Sequence, residues 1–177
     1  AFHTVIAASD AERRDLFLGA SARLGTAVQN IEKDFWVCWT LDALFNGLET
    51  GGPRLLFKGG TSLSKAFGLI SRFSEDIDIT VFRGDLGQAA EVAELDALSG
   101  KKRRARLEAI RLACQAYIAG PLADEFTQIA AAVIPDGRFH LELDPDDKDG
   151  QTLLFWYPAV TPTTNDYIRS AVKIESG

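Results

Sequence analysis

The seven residues Asp76-Ile-Asp-Ile-Thr-Val-Phe82 alternate polar and apolar side chains. On a β-strand successive side chains point to opposite faces. The stretch therefore predicts a half-buried strand, with Ile77 and Ile79 towards a core and Asp76 and Asp78 together on the other face. Such a strand needs a sheet covered on one side and open on the other. Two carboxylates on one strand face also repel each other. A divalent cation between them relieves that repulsion, and Mg²⁺ takes carboxylate oxygens together with substrate phosphates. A solvated strand face is the alternative reading of an isolated Asp-x-Asp.

The residues upstream favour the cation. Arg54-Leu-Leu-Phe-Lys58 reads as a short strand, and Gly59-Gly60-Thr61-Ser62 as a turn that opens a helix over 61–70. Glycines let backbone N–H groups approach a ligand closely, and a helix N-terminus favours anions. Thr61 and Ser62 add hydroxyl donors. Taken alone, this is also the pattern of a plain turn with an N-cap, and it does not match the P-loop spacing. Taken together, the two segments make one coherent site, a turn for phosphate beside a strand for metal.

The rest of the chain supplies the frame. Residues 9–25 read as a helix, with Ser9 and Glu12 at capping-box spacing. Residues 27–48 read as a strongly amphipathic helix that ends at Gly51-Gly52-Pro53. Helices are expected over 86–98 and 101–118, and strands over 138–143, 152–157 and 171–175. The turn-rich DPDDKDGQ joins the first two of these strands; its register fails as a calcium loop, so it reads as a hairpin turn. Helices first and mixed strands after predict an α+β (mixed α/β) fold. The expected domain is 1–177, with N-terminal helices to about residue 50 and a sheet core from about 51.

The net charge of −6 argues against sequence-blind nucleic-acid binding over the whole surface. A local patch remains: Lys101, Lys102, Arg103, Arg104 and Arg106 begin a helix, as RNA-phosphate contacts or as a solvated face. Glu32-Lys33-Asp34, on a helix otherwise rich in apolar residues, reads as a surface charge cluster, with reach to the active site or a partner as the alternative. His3 and His140 are isolated, so neither a zinc site nor a nucleophile triad is suggested. Cys38 and Cys114 read as reduced thiols of a cytoplasmic protein, and no apolar run is long enough to span a membrane.

The longer string KGGTSLSKAF…RFSEDIDI resembles the AbiEii/AbiGii nucleotidyltransferase toxins, the family of the MenT-type toxins within the polymerase-beta-like superfamily. IEKDFWVCWTLDALF (31–45), LSGKKRRARLEAI (98–110), LLFWYP (153–158) and VKIE (172–175) resemble the same family. The resemblance implies a nucleotidyltransferase fold, a small mixed sheet flanked by helices. It implies Mg²⁺- (or Mn²⁺-) dependent transfer of NMP from an NTP to RNA, the tRNA 3′ end above all, which blocks translation. The setting would be a toxin–antitoxin or abortive-infection locus, with an antitoxin encoded nearby that need not touch the toxin. By the same resemblance Asp76 and Asp78 hold the metal, with Glu175 as a third carboxylate. Gly59, Gly60, Thr61 and Ser62 hold the triphosphate, Lys65 and Arg72 add phosphate contacts, and Lys173 neutralises phosphate charge. Members carry a further helical C-terminal half with a last acidic motif. That half is absent here, as is any methionine, so a longer functional protein is expected. Two alternatives stand beside this reading: a small molecule or protein side chain as acceptor, and a non-catalytic module that binds NTP or antitoxin.

Overall fold

The computed structural model describes residues 2–59, 76–162 and 169–177. Three helices come first: α1 (Phe2–Ala7), α2 (Asp10–Leu24) and α3 (Val28–Asp42), the last continued by a π-type stretch at Ala43–Gly47. Strands β1 (Leu55–Lys58) and β2 (Asp76–Val81) follow, then a 3₁₀ turn at Arg83–Leu86, α4 (Val92–Ala97), α5 (Gly100–Tyr117), a second π-type stretch at Ile118–Leu122, and α6 (Ala123–Val133). Strands β3 (His140–Leu143), β4 (Thr152–Trp156) and β5 (Ala171–Ser176) complete the order. No helix among the described residues is long and apolar enough to cross a membrane.

The five strands form one sheet in the order β1-β2-β5-β4-β3. Only β2 and β5 run parallel; the other neighbours are antiparallel. The alternation in the sequence decides which face is covered. Ile77, Ile79, Val81, Val172, Ile174, Leu153 and Phe155 all lie in the core. Helix α3 lays Trp36 and Trp39 on that face, where Trp36 stacks on Tyr157 at 5.6 Å between ring centroids and meets Phe155 edge-on. Phe155 also meets Trp39 and Phe126, at 5.3 and 5.2 Å between centroids.

The capping box at α2 forms as expected: the Ser9 hydroxyl accepts from the Glu12 N–H, and the Glu12 carboxylate accepts from the Ser9 N–H. The hairpin also closes as expected. The Asp144 N–H donates to the Thr152 carbonyl, and the Asp144 and Asp147 carboxylates accept from turn N–H groups.

Four expectations need correction. Residues 2–7 are helical, although the first helix was expected from 9. The single helix expected over 86–98 is a 3₁₀ turn ending at Leu86 and the short α4, separated by Gly87, whose φ of 71° breaks the helix. The helix expected to end at 118 continues in helical geometry through Pro121 to Val133, because the wider π-type turn absorbs the residue that lacks an N–H. A stripe at four-residue spacing, Ile118, Leu122, Phe126, Ala130 and Ile134, is buried along this run and marks the continuation. Glu32-Lys33 is no surface cluster, since both residues are buried. The helix expected over 61–70 lies outside the described residues.

Phe155 joins the sheet to two helices and is fully buried. Phe155→Ala should therefore cost about 3–5 kcal/mol of stability, read as a lowered denaturation midpoint at unchanged m-value.

Candidate active site

The face of the sheet opposite the tryptophans carries the polar half of each alternating strand. Asp76 and Asp78 project from β2, and Lys173 and Glu175 from β5. The parallel register sets Asp76 beside Lys173 and Asp78 beside Glu175. On the other flank, antiparallel pairing brings Lys58 opposite Asp78. Two carboxylates, two lysines and a third carboxylate thus share three adjacent strands.

Gly59 follows directly from β1 and has a φ of 78°. A Cβ at this position would lie 1.9 Å from Asp78 Oδ2 and 3.0 Å from Asp78 Cβ. A side chain is thus excluded twice, by left-handed backbone and by the carboxylate. The expected neighbourhood of glycine turn and aspartate strand is present at Gly59. Gly60, Thr61, Ser62, Lys65 and Arg72 lie outside the described residues.

Lys173 Nζ and Glu175 Oε2 form an ion pair at 3.1 Å. The hydrogen bond it donates to Glu175 holds the Lys173 ammonium above the ordinary lysine value, against the opposing effect of partial burial, and the charges of Glu175, Asp76 and Asp144 add to it. Lys173 is thus a fixed cation beside Asp76 throughout the neutral range. Lys58 Nζ is turned to the Gly177 carbonyl at 2.9 Å, and the Thr80 hydroxyl reaches the same oxygen at 3.1 Å.

Among the described residues no three acidic, imidazole or thiol side chains are grouped to hold a metal ion. Asp76 and Asp78 nevertheless offer hard oxygen donors on one open face, with a side-chain-free glycine pressed against one of them. That donor set suits a cation that takes one or two protein carboxylates and fills its remaining positions with water and phosphate oxygens. Glu175 has the right face and register, but it is committed to Lys173.

A cleft of about 310 Å³ opens beside Asp76, walled by Lys33, Asp144, Asp146, Leu154, Arg169 and Lys173. Lys33, read first as surface charge because of its charged neighbours, is instead buried at a wall of this cleft. The sequence signal was that Lys33 shares the three- and four-residue stripe of Gln29, Trp36, Val37 and Thr40, the buried face of α3. Glu32, also buried, accepts from the Val160 and Thr161 N–H groups at 2.8 and 3.0 Å and from the Thr161 hydroxyl. It anchors the chain at Val160 and Thr161, beyond the end of β4.

The basic run of α5 divides. Arg103 donates to the Leu95 and Asp96 carbonyls, and Arg106 to Gln88 and the Ala89 carbonyl, so both tie α4 and its approach to α5. Lys101, Lys102 and Arg104 are exposed. His140 is at the surface, 3.2 Å from Glu142.

Two predictions follow from this geometry. Gly59→Ala should displace the Asp78 carboxylate, strain the turn and lower any activity of the site at least about tenfold, with a melting temperature within a few degrees of the parent, read by steady-state rates and thermal melting. The raised Lys173 value means that its ion pair stabilises the fold fully below the unfolded lysine value of 10.5 and is lost as pH rises through the higher folded value. Lys173→Met should therefore flatten that alkaline loss of stability in denaturation curves taken across pH 9–12, the range about lysine's ordinary value.

A model of the family described as "Nucleotidyl transferase AbiEii toxin, Type IV TA system" matches residues 42–177. No curated protein and no solved structure matches the chain significantly. The matched segment contains the whole sheet, Gly59 and all four charged residues of β2 and β5. The chain belongs to the AbiEii family of nucleotidyltransferase toxins of type IV toxin–antitoxin systems.

Proposed function

We propose that Asp76 and Asp78 are the reaction centre of a Mg²⁺-dependent transfer of a nucleoside monophosphate from an NTP to RNA, the tRNA 3′ end above all, with arrest of translation as the result. The observation that carries this reading is the juxtaposition on one open sheet face: Asp76 and Asp78 on a single strand, Lys173 in register beside them, and the Cα of Gly59 against Asp78.

In this reading Asp76 and Asp78 would hold Mg²⁺ or Mn²⁺, which would supply positive charge to the triphosphate and to the departing pyrophosphate. The glycine turn from Gly59 gives the triphosphate room to approach the backbone, and the hydroxyls of Thr61 and Ser62 and the side chains of Lys65 and Arg72 extend that contact. Lys173 offsets phosphate charge. The acceptor hydroxyl oxygen forms a bond to the α-phosphorus, and the bond from that phosphorus to the α,β-bridging oxygen breaks. Pyrophosphate leaves, and the hydroxyl proton passes to a carboxylate or to water. Because the groups are held in place by the sheet, positioning and fixed charge supply most of the acceleration.

The RNA acceptor is supported by α5. Lys101 and Lys102 place cations in the first turn of a helix that has no acidic residue there, and exposed Arg104 follows in the next turn; the helix dipole opposes positive charge in the first turn. An anionic partner makes that arrangement favourable. Arg103 contributes less directly, since it is bonded to α4.

The test is incubation of the full-length protein with total tRNA, Mg²⁺ and each labelled NTP in turn. Label should appear on tRNA with one or more nucleotides and fall at least about a thousandfold in Asp78→Ala. Label that persists in Asp78→Ala would remove the aspartates from the chemistry. Intact NTP binding without label on any RNA would move the acceptor to a small molecule or a protein side chain.

A further inference from the structure

Helix α2 carries a face that the core does not use. Its buried side is marked by Arg13 and Phe17, and Phe17 meets Phe35 of α3 at 5.6 Å between ring centroids. Residues three and four apart share a helix face, and Leu16, Gly19 and Arg23 form such a row roughly a third of the way round the helix from Phe17. The row lines a groove of about 680 Å³, together with Asp15 and Ala20, and Val5 of α1 belongs to the same groove. Leu16 is 54% exposed. A Cβ added at Gly19 would meet no atom within 4 Å among the described residues, so the groove is open there.

The charges at its two ends are unmatched. Asp15 and Arg23 are both exposed, and among the described residues neither has an ion-pair or hydrogen-bond partner. One sits four residues before Gly19 and the other four after it. That separation is beyond the three or four residues at which helix neighbours pair. The other charges close by are engaged: Glu12 accepts from the Ser9 N–H, and Arg14 donates to the Val160 carbonyl. Along α2 the strip therefore runs negative, apolar, small, positive.

Such a strip complements itself when reversed. Two copies that meet about a two-fold axis present the same patch to each other, so that residue i contacts j and j contacts i. With the helices antiparallel and the axis beside Gly19, Asp15 of each copy falls opposite Arg23 of the other. Leu16 of each meets the hollow bordered by Ala20 and Arg23. The two glycines meet at the axis, where the lack of side chains lets the helices come close. A parallel pairing would set Asp15 against Asp15 and Arg23 against Arg23. Helix α2 lies ahead of residues 42–177, so this face is separate from the segment that the family model matches.

We propose that this face of α2 is an interface between two copies of this chain, paired antiparallel about Gly19 and closed by two Asp15–Arg23 ion pairs. Exposed ion pairs add little affinity; here they set the direction of pairing, and burial of Leu16 supplies the attraction. A contact made by one four-turn helix is at the low end of interface sizes. The pair is therefore reversible, with a dissociation constant on the order of 10–100 μM.

The experiment is sedimentation equilibrium of the full-length protein from about 1 μM to 1 mM, with thermal melting to show that each variant is folded. Asp15→Arg and Arg23→Asp each set like charges opposite one another and should weaken the dimer at least about tenfold. An equal mixture of the two variants should recover it to within about threefold of the parent, because each chain then supplies the charge that the other lacks. Gly19→Glu improves helix propensity in the separate chain. It should leave the melting temperature of the monomer unlowered and abolish the dimer by placing two carboxylates at the axis. A parent that stays monomeric at the highest concentration would overturn the proposal. So would a dimer that the two charge reversals and Gly19→Glu leave unchanged, or one that the reversals weaken and their mixture does not restore.

Discussion

The parallel pairing of β2 with β5 is the constraint on which the other features depend. A strand pair has a period of two, so a slip of one residue would turn Asp76 and Asp78 into the core and Ile77 and Ile79 out to water. The observed register, Asp76 with Lys173 and Asp78 with Glu175, is fixed from below by the burial of Ile77, Ile79, Val172 and Ile174. The charges above are therefore held in place by apolar contacts beneath them. An electrostatic arrangement that would be costly by itself is held by hydrophobic burial on the reverse face of the same strands.

Helix α3 serves both sides of that arrangement. Trp36 and Trp39 cover the sheet, and Phe155 joins them to Phe126 of α6. One turn earlier, Glu32 and Lys33 reach the chain on either side of the segment that leads into β5. Packing and polar anchoring thus come from one rigid element, so a change in how α3 seats on the sheet would be felt at Lys173 and Asp76. Helix α2 adds to this from outside: Arg14 donates to the Val160 carbonyl at 2.8 Å, and Asp10 bridges Arg13 and Arg138. Arg138, followed by the charge of Arg13, holds the Asp10 carboxyl below its usual range, so this bridge stays ionised at neutral pH.

Much of this was legible in the residues. The alternation of 76–82 predicted a one-sided strand, and Ile77 and Ile79 are buried while Asp76 is exposed. The capping box, the Asp144–Gly150 turn and the VKIE strand read correctly because each is a local pattern with a local cause. What failed was non-local. The helix expected to end at 118 runs on, because a π-type turn carries it past Pro121. Glu32 and Lys33 looked like solvent-facing charge, yet their partners lie more than a hundred residues away, at Val160 and Arg169. Arg103 and Arg106 were read with their neighbours as one basic patch, whereas contacts with residues 88–96 separate them from Lys101, Lys102 and Arg104. The resemblance of the motifs to AbiEii toxins agrees with the family match over 42–177.

In the proposed reading the aspartate pair holds the metal tightly only together with a nucleotide, because two carboxylates leave most of a cation's coordination to phosphate and water. Titration of Mn²⁺ followed by electron paramagnetic resonance, with and without an α,β-methylene NTP, tests it most directly. The account predicts weak binding by the protein alone, binding strengthened at least about tenfold by the nucleotide analogue, and loss of that gain in both Asp76→Ala and Asp78→Ala. Tight binding that ignores the nucleotide, or that survives both substitutions, would contradict it.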